Sequence, residues 1–401
     1  MLKTVQDASD CFVYSENDLL KNCQLDKDYQ LSEFDIQLRK SWDDKMKNGH
    51  FRYHLDKVET KIIPGSLKYV AQLNVKRATE RRPPQNITIV NQPFDSKVFN
   101  FTKVKEDEII FRLDKSDDGQ QQCNGHTDSK SEKRNIVMVN VSPLEYGHIL
   151  ICPDIDASKP QLLDEYALKL AINCQLLSKH KGFRLGFNSL CAFASVNHQH
   201  PVQHLKGPVY ELDVIPCKGF VFQLFGTTVD QLTKDVIKMT EYLQSNEVAH
   251  NVFMTRGTAF GDNSKEDTIR IYVWPRAKFI GVKEEAAFNV AVVELAGHLP
   301  IKVEKLYEDL TEELISDTVN IATTTALSWP GGHKFVAAFL ILTAVLWIPG
   351  VALVKYFRLI KWEPETPAYF REEELKIEKE LKIYEPSDME RKFFYWREVL
   401  D

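Results

Sequence analysis

Apolar positions between Leu67 and Trp274 fall into short runs separated by turn residues: KYVAQLNV, NITIV, KVFNFTKV, EIIFRL, NIVMVNV, HILICP, NVFMT and TIRIYVW. Runs of that length, rich in β-branched and aromatic residues, predict strands. A helical period interrupts them. LSEFDIQLRKSWDDKM forms a helical patch near the start. Over 161–178, Leu163, Ala167, Leu170, Cys174 and Leu177 share one helical face. A further helix is predicted from Thr228, where Thr228 and Gln231 have capping-box spacing. Val229, Leu232, Val236, Met239 and Leu243 form its apolar stripe. Strands joined by short turns, with helices between pairs, give an antiparallel α+β fold.

The pattern also divides the chain. Residues 1–65 read as a polar N-terminal extension, 66–322 as the main domain and 323–401 as an atypical tail. Within the domain, 114–134 (DKSDDGQQQCNGHTDSKSEKR) has no apolar period and predicts a disordered surface loop. Within the tail, 335–354 (FVAAFLILTAVLWIPGVALV) carries no charge and is long enough at helical rise to cross a bilayer. A transmembrane-like helix, and membrane association through it, is therefore expected; a buried core helix is the alternative. Lys355, Arg358 and Lys361 follow this run, so the positive-inside rule puts the C-terminus in the cytosol and the domain on the other side.

Composition points elsewhere. Hydrophobic residues make up 43% and charged residues 27%, as in ordinary globular proteins. A net charge of −6 repels nucleic acid and favours a small anionic substrate held by local positive groups. The seven cysteines are odd in number and widely spaced, without a C-x-x-C, and the N-terminus lacks the apolar stretch of a signal peptide. Both features suit a reducing, cytoplasmic setting, in which the N-x-S/T patterns at Asn86, Asn100 and Asn140 are chance matches.

Candidate chemistry concentrates in FRLGFNSLCAFASVNHQH, residues 183–200. His198 and His200 are two apart, so on a strand both imidazoles project from one face. One can attack phosphorus while its neighbour binds the phosphate or sets the ring tautomer. Zinc sites also use H-x-H, and many such pairs are surface histidines. No cysteine or carboxylate cluster accompanies this pair, so no metal site is assigned.

The motif resembles the histidine-triad superfamily. Its surroundings are closer to one branch, the GDP-hexose phosphorylases: GDP-D-glucose phosphorylases of animals and GDP-L-galactose phosphorylases of plants. The blocks that carry the likeness are QLNVKRATERRPP, QPFDSKVFNFTK, VNVSPLEYGHILICP, FRLGFNSLCAFASVNHQH and VVELAGHLPIKVEKLYEDLTEE, spanning about residue 65 to 320. The resemblance implies a nucleotidyltransferase with a histidine-triad-like sheet and flanking helices. A second G-H at His298 hints that the fold is duplicated, and superfamily members are often homodimers.

It further implies a reaction. His200 attacks the α-phosphorus of GDP-D-glucose, hexose 1-phosphate leaves, and inorganic phosphate releases GDP from a guanylyl-histidine, with no cofactor. By the same likeness His198 supports the phosphate or the nucleophile's orientation, the Ser195 hydroxyl contacts phosphate, Asn188 contacts phosphate or ribose, and Asn140 meets the ribose hydroxyls. Each of the last three also has a plain structural role: Asn188 capping a turn beside Gly186, Asn140 ending a strand, Ser195 satisfying backbone. The basic run Lys76, Arg77, Arg81 and Arg82 suits a pyrophosphate or a solvated surface equally.

Two features depart from the family. The third polar residue of the pattern falls at Val202, after Pro201, as though a segment had been removed behind His200. Only a bulge at Pro201 would return Gln203 to the active face, so impaired turnover is expected. The apolar tail is the second departure; a catalytically impaired nucleotide-binding protein and a membrane-anchored scaffold are the alternative readings.

Overall fold

The computed structural model describes residues 11–20, 23, 25, 30–55, 58–116, 133–204, 216–259, 266–279, 289–327 and 355–356. Thirteen strands are assigned among them. They are β1 (Cys11–Tyr14), β2 (Glu59–Ile62), β3 (Val70–Leu73), β4 (Ile109–Lys115), β5 (Ile136–Val139), β6 (Ile149–Cys152) and β7 (Arg184–Asn188). After these come β8 (Val202–His204), β9 (Phe220–Gln223), β10 (Ala249–Thr258), β11 (Asp267–Arg276), β12 (His298–Ile301) and β13 (Lys355–Tyr356). The helices are α1 (Glu33–Lys47), α2 (Lys76–Thr79), α3 (Glu165–Leu177), α4 (Val229–Ser245), α5 (Val292–Leu295), α6 (Glu304–Asp309) and α7 (Glu312–Leu327).

Ten strands form one sheet in the order β1-β4-β5-β6-β8-β7-β10-β11-β9-β13, and β12-β3-β2 form a small second sheet. Pairing is antiparallel except for β1 with β4 and β12 with β3. The α+β class read from the apolar pattern is the class of the folded chain.

One face of the large sheet packs on α1, α3 and α4 through a core that includes Phe34, Leu38, Val137, Ile149, Ala171, Leu185, Val236 and Ile271. The chain before residue 66, read as an extension, supplies an edge strand and a core helix here. Ser32 and Asp35 form a capping box at the start of α1. The buried Asp35 carboxylate also accepts from Ser178 Oγ (2.6 Å) and Lys179 N (2.8 Å), tying the N-terminus of α1 to the end of α3. Thr228 caps α4 by accepting from Gln231 N at 3.2 Å.

The opposite face carries the interest. Across β5, β6, β7 and β10 the middle row is Met138, Leu150, Gly186 and Phe253. One end of those strands carries Asn140, His148, Arg184 and Thr255, and β11 adds Arg270. The other end carries Cys152, Asn188 and Asn251, and there the chain enters β8 through His200 and Pro201. The small sheet and α5 to α7 cover the β9–β11 half of this face through Ala71, Leu299, Ile301, Leu295 and Val319.

Two runs read as strands differ. In KVFNFTKV the chain makes a 3-10 turn over Phe101–Lys103, with Asn100 Oδ1 accepting from Thr102 N at 3.1 Å. In NITIV, Ile87 and Val90 instead pack a loop against Leu190 and Ala249. Both runs bury apolar residues outside any strand, with no more than an isolated bridge at Ile87. Most of the loop expected at 114–134 and the apolar run 335–354 lie outside the described residues; β4 itself continues to Lys115. Among the described residues no helix is long and apolar enough to cross a membrane, so nothing supports the transmembrane-like helix.

Candidate active site

The His-x-His segment does not lie in a strand, as its spacing suggested. It is the last part of the loop between β7 and β8, whose earlier residues Cys191 (φ 59°) and Phe193 (φ 68°) hold left-handed backbone. Such backbone is uncommon for non-glycine residues and persists where surrounding packing enforces it. Anchors alternate along the segment. The Asn197 side chain accepts from Gln161 N (2.8 Å) and donates to the carbonyls of Gln92 (3.0 Å) and Pro93 (2.9 Å). Asn197 N donates to Gln85 Oε1 at 2.9 Å. Gln199 N donates to the carbonyl of Lys159 at 3.1 Å, and Gln199 Nε2 to that of Leu162 at 2.6 Å.

His198 and His200 lie between these anchors, both packed on Phe101. His198 is fully buried, with Phe101 at 5.6 Å and Phe94 edge-on at 5.5 Å between ring centres. Its Nδ1 accepts the Phe101 backbone N–H at 3.0 Å, so the ring proton resides on Nε2. That nitrogen is buried on the side of the Ile155 backbone, with no hydrogen bond of full geometry. Burial pushes the imidazole down to about 4, which keeps it neutral at neutral pH.

His200 is 8% exposed, and Phe101 packs edge-on against it at 4.7 Å. Its Nδ1 lies 2.7 Å from the His198 carbonyl. A carbonyl only accepts, so Nδ1 carries the proton and Nε2 the lone pair. The backbone of His200 is held by one side chain. Gln161 Oε1 accepts from His200 N (2.9 Å), while Gln161 Nε2 donates to the carbonyls of His200 (3.2 Å) and Asn188 (3.0 Å). Gln161 thus bridges β7 and the approach to β8 where direct pairing stops.

Asn188 is brought beside His200 by this bridge. Its Oδ1 accepts from Asn251 Nδ2 (2.6 Å) and Val292 N (2.9 Å), joining β7, β10 and the start of α5. Ser195 is half-buried a few residues before His198, and its carbonyl accepts from Gln85 N at 3.0 Å. Asn140 is not brought to the pair. It follows β5, at the far end of the strands from His200, where Oδ1 accepts from Ser142 N (3.1 Å) and the side-chain amide meets His148 Nε2 (3.2 Å). Four residues of strand separate the two levels, roughly 13 Å.

The β8 register settles the position after His200. Ile151 N donates to the Pro201 carbonyl at 3.1 Å, and Leu150 and Ile149 then pair with Val202 and Gln203. No bulge intervenes: Val202 is paired with Leu150 and Gly186, and Gln203 with Ile149 and Leu185. Of the basic run, Arg82 pairs with Glu108 (2.8 and 3.1 Å) and lies over the Phe99 ring, and Arg77 donates to the Ser142 carbonyl. Among the described residues no group of three His, Cys, Asp or Glu is arranged to hold a metal ion.

Sequence reasoning missed Gln161, Gln85 and Phe101. Gln161 had only its place after Pro160 to mark it, and Phe101 was hidden in a run taken for a strand. Asn197, adjacent to the motif, had a detectable signal: a carboxamide amid buried apolar residues.

The fold and site can be set beside known proteins. The model of the GDPGP1-like N-terminal domain matches residues 33–202, and that of the GDPGP1-like C-terminal domain matches 194–329. The chain is 40% identical over 334 residues to GDP-D-glucose phosphorylase 1 of Danio rerio, covering 77% of this chain and 93% of that protein. To the Homo sapiens protein of the same name it is 40% identical over 303 residues, covering 70% and 77%. To GDP-L-galactose phosphorylase 1 of Arabidopsis thaliana it is 31% identical over 300 residues, covering 68% and 66%. Among solved structures, yeast Ap4A phosphorylase Apa2 in complex with Ap4A aligns with a TM-score of 0.47 at 14% identity, covering 75% of this chain and 98% of that one.

Proposed function

The chain belongs to the GDPGP1-like family, and on that premise we propose that it carries out phosphorolysis of GDP-D-glucose with His200 as the nucleophile. The observation that carries the proposal is the 2.7 Å contact of His200 Nδ1 with the His198 carbonyl, which puts the ring proton on Nδ1, the tautomer that attack through Nε2 requires. In the first step Nε2 bonds to the α-phosphorus, the bond from that phosphorus to the bridging oxygen breaks, and glucose 1-phosphate departs. In the second, an oxygen of inorganic phosphate displaces the imidazole and GDP is released. Splitting one displacement into two through a covalent intermediate is the advantage of such a nucleophile.

The other candidates fit around that centre. His198 supports the nucleophile's orientation: its carbonyl fixes His200 Nδ1, and its own ring is held by the Phe101 N–H. Asn188 keeps its carbonyl side on Asn251 and Val292, so its amide N–H faces the ligand, with Ser195 Oγ as a further donor. The substrate then extends along the sheet face toward Asn140, its nucleoside at that end. We also read the sheet as histidine-triad-like and duplicated, because the motif feeds a central strand and α3 and α4 cover the same face, one from each half of the chain. Buried cysteines outside any disulfide suit a cytoplasmic setting.

The test is phosphate-dependent release of GDP from GDP-glucose, with His200→Ala beside the wild type. Turnover that disappears in the variant, with a guanylyl group trapped on the wild-type chain in the absence of phosphate, is expected. It would also show that a polar group at Val202 is dispensable. Equal turnover in the variant would remove His200 from the mechanism.

A further inference from the structure

The strand ends far from His200 carry a second polar cluster on the same sheet face. It is centred on Glu145, in the turn between β5 and β6, and its members come from three other strands. Gln72 of β3 donates Nε2 to the Glu145 carboxylate at 2.8 Å. His298 of β12 places Nε2 3.8 Å from the same carboxylate, beyond hydrogen-bonding range. Arg184 of β7 is buried close enough to feel the Glu145 charge. Burial and the Arg184 guanidinium push the His298 imidazole down to about 4 despite the carboxylate, so it is neutral at neutral pH.

Two polar atoms in this cluster are buried without a hydrogen-bond partner: Gln72 Oε1, on a residue 2% exposed, and His298 Nε2. Buried polar groups are normally satisfied, and a cluster with a carboxylate, an unmet amide oxygen and a guanidinium presents acceptors and donors together. Inorganic phosphate is a poor match, because the carboxylate repels it. A neutral edge with two adjacent N–H donors and one oxygen acceptor is a good one, and guanine has that edge. The apolar row of Met138, Leu150, Gly186 and Phe253 separates the cluster from the His200 level by roughly 13 Å of strand, the scale of an extended nucleoside monophosphate.

We infer that this cluster reads the guanine base, Glu145 accepting from N1–H and the 2-amino group, with Gln72 Oε1 and Arg184 completing the edge. The inference rests on the GDP-hexose reading and adds to it the residues that choose the base. Calorimetric titration of the full chain with GDP and with IDP, which lacks the 2-amino group, tests it without requiring turnover. GDP is expected to bind at least about tenfold more tightly, a difference of 1.4 kcal/mol. Glu145→Gln should collapse that ratio toward one, and Gln72→Met, which keeps the side-chain length, should lower it and serves if Glu145→Gln does not fold. Equal binding of GDP and IDP by the wild type, or an unchanged ratio in both variants, would overturn the inference. If GDP-glucose turns over but both variants raise KM equally for GDP- and IDP-hexose, only this inference fails. If GDP is preferred and Glu145→Gln abolishes the preference but no phosphorolysis occurs, only the reaction reading fails.

Discussion

At the scale of single residues, Gln161 does what a strand partner ordinarily does. Its amide satisfies the N–H and C=O of His200 and the C=O of Asn188, so the two residues share one support. Removing it leaves buried backbone groups unpaired, which costs about 1–3 kcal/mol. Gln161→Ala should therefore shift the urea midpoint downward and lower kcat for phosphorolysis at least about tenfold, with KM changing less. Gln161→Glu keeps the acceptor for His200 N–H and should recover part of kcat. Steady-state kinetics on both variants check this, and unaltered kcat in Gln161→Ala would refute the positioning role. The pairing of His198 and His200 was legible as a candidate because both residues lie in one motif. Gln161 was not, because its bonds run to a segment remote in sequence. Asn140 was placed by likeness alone, and its observed bonds are those of a turn, the plain role its sequence position also allowed.

At the scale of elements, the contact between β7 and α5 is the most constrained. A Cβ on Gly186 would lie 2.8 Å from Val292 Cγ1, so the strand and the helix approach as closely as they do because this residue has no side chain. Val292 N in turn donates to Asn188 Oδ1, which links that approach to the site. Gly186→Ala should destabilise the fold by about 1–3 kcal/mol through overpacking. Adding Val292→Ala should recover most of the loss, as a thermal or urea unfolding series on the single and double variants will show; additive effects would count against the contact. Helices α1, α3 and α4 were readable because an amphipathic stripe marks a face against a sheet. The 3-10 turn at Phe101 was not, because a buried aromatic run looks the same whether its backbone pairs with a strand or wraps a histidine.

At the scale of the molecule, buried neutral histidines tie stability to pH. His198 and His250 are fully buried, and burial lowers each from about 6.5 to about 4. The unfolded chain therefore binds more protons between those values, so stability rises with pH across that window. Their contribution is whole above about pH 6.5 and fades as pH falls toward 4, on the order of 3 kcal/mol for each residue. Urea midpoints measured from pH 7 to pH 5, above the range where most carboxylates titrate, should fall steadily. A flat midpoint over that interval would mean the two imidazoles are not held neutral in the folded chain. The overall class was visible in the apolar pattern, whereas the order of strands was not, since β8 lies between β6 and β7 and only tertiary pairing says so.

The small sheet gives this architecture a direction in time. β3 is made early in synthesis and β12 late, yet the two lie side by side in parallel register. Closing so long a loop is entropically costly and slow compared with forming the hairpins and helices between. While the chain emerges, Gln72 waits beside an unfilled edge until His298 arrives. The loop that carries His198 and His200, by contrast, draws its anchors from residues 85–200, all synthesised before that strand. Nascent chains thus pass through a stage in which the histidine pair is built but the sheet that covers the far end of its face is still open, a stage at which chaperones have most to shield.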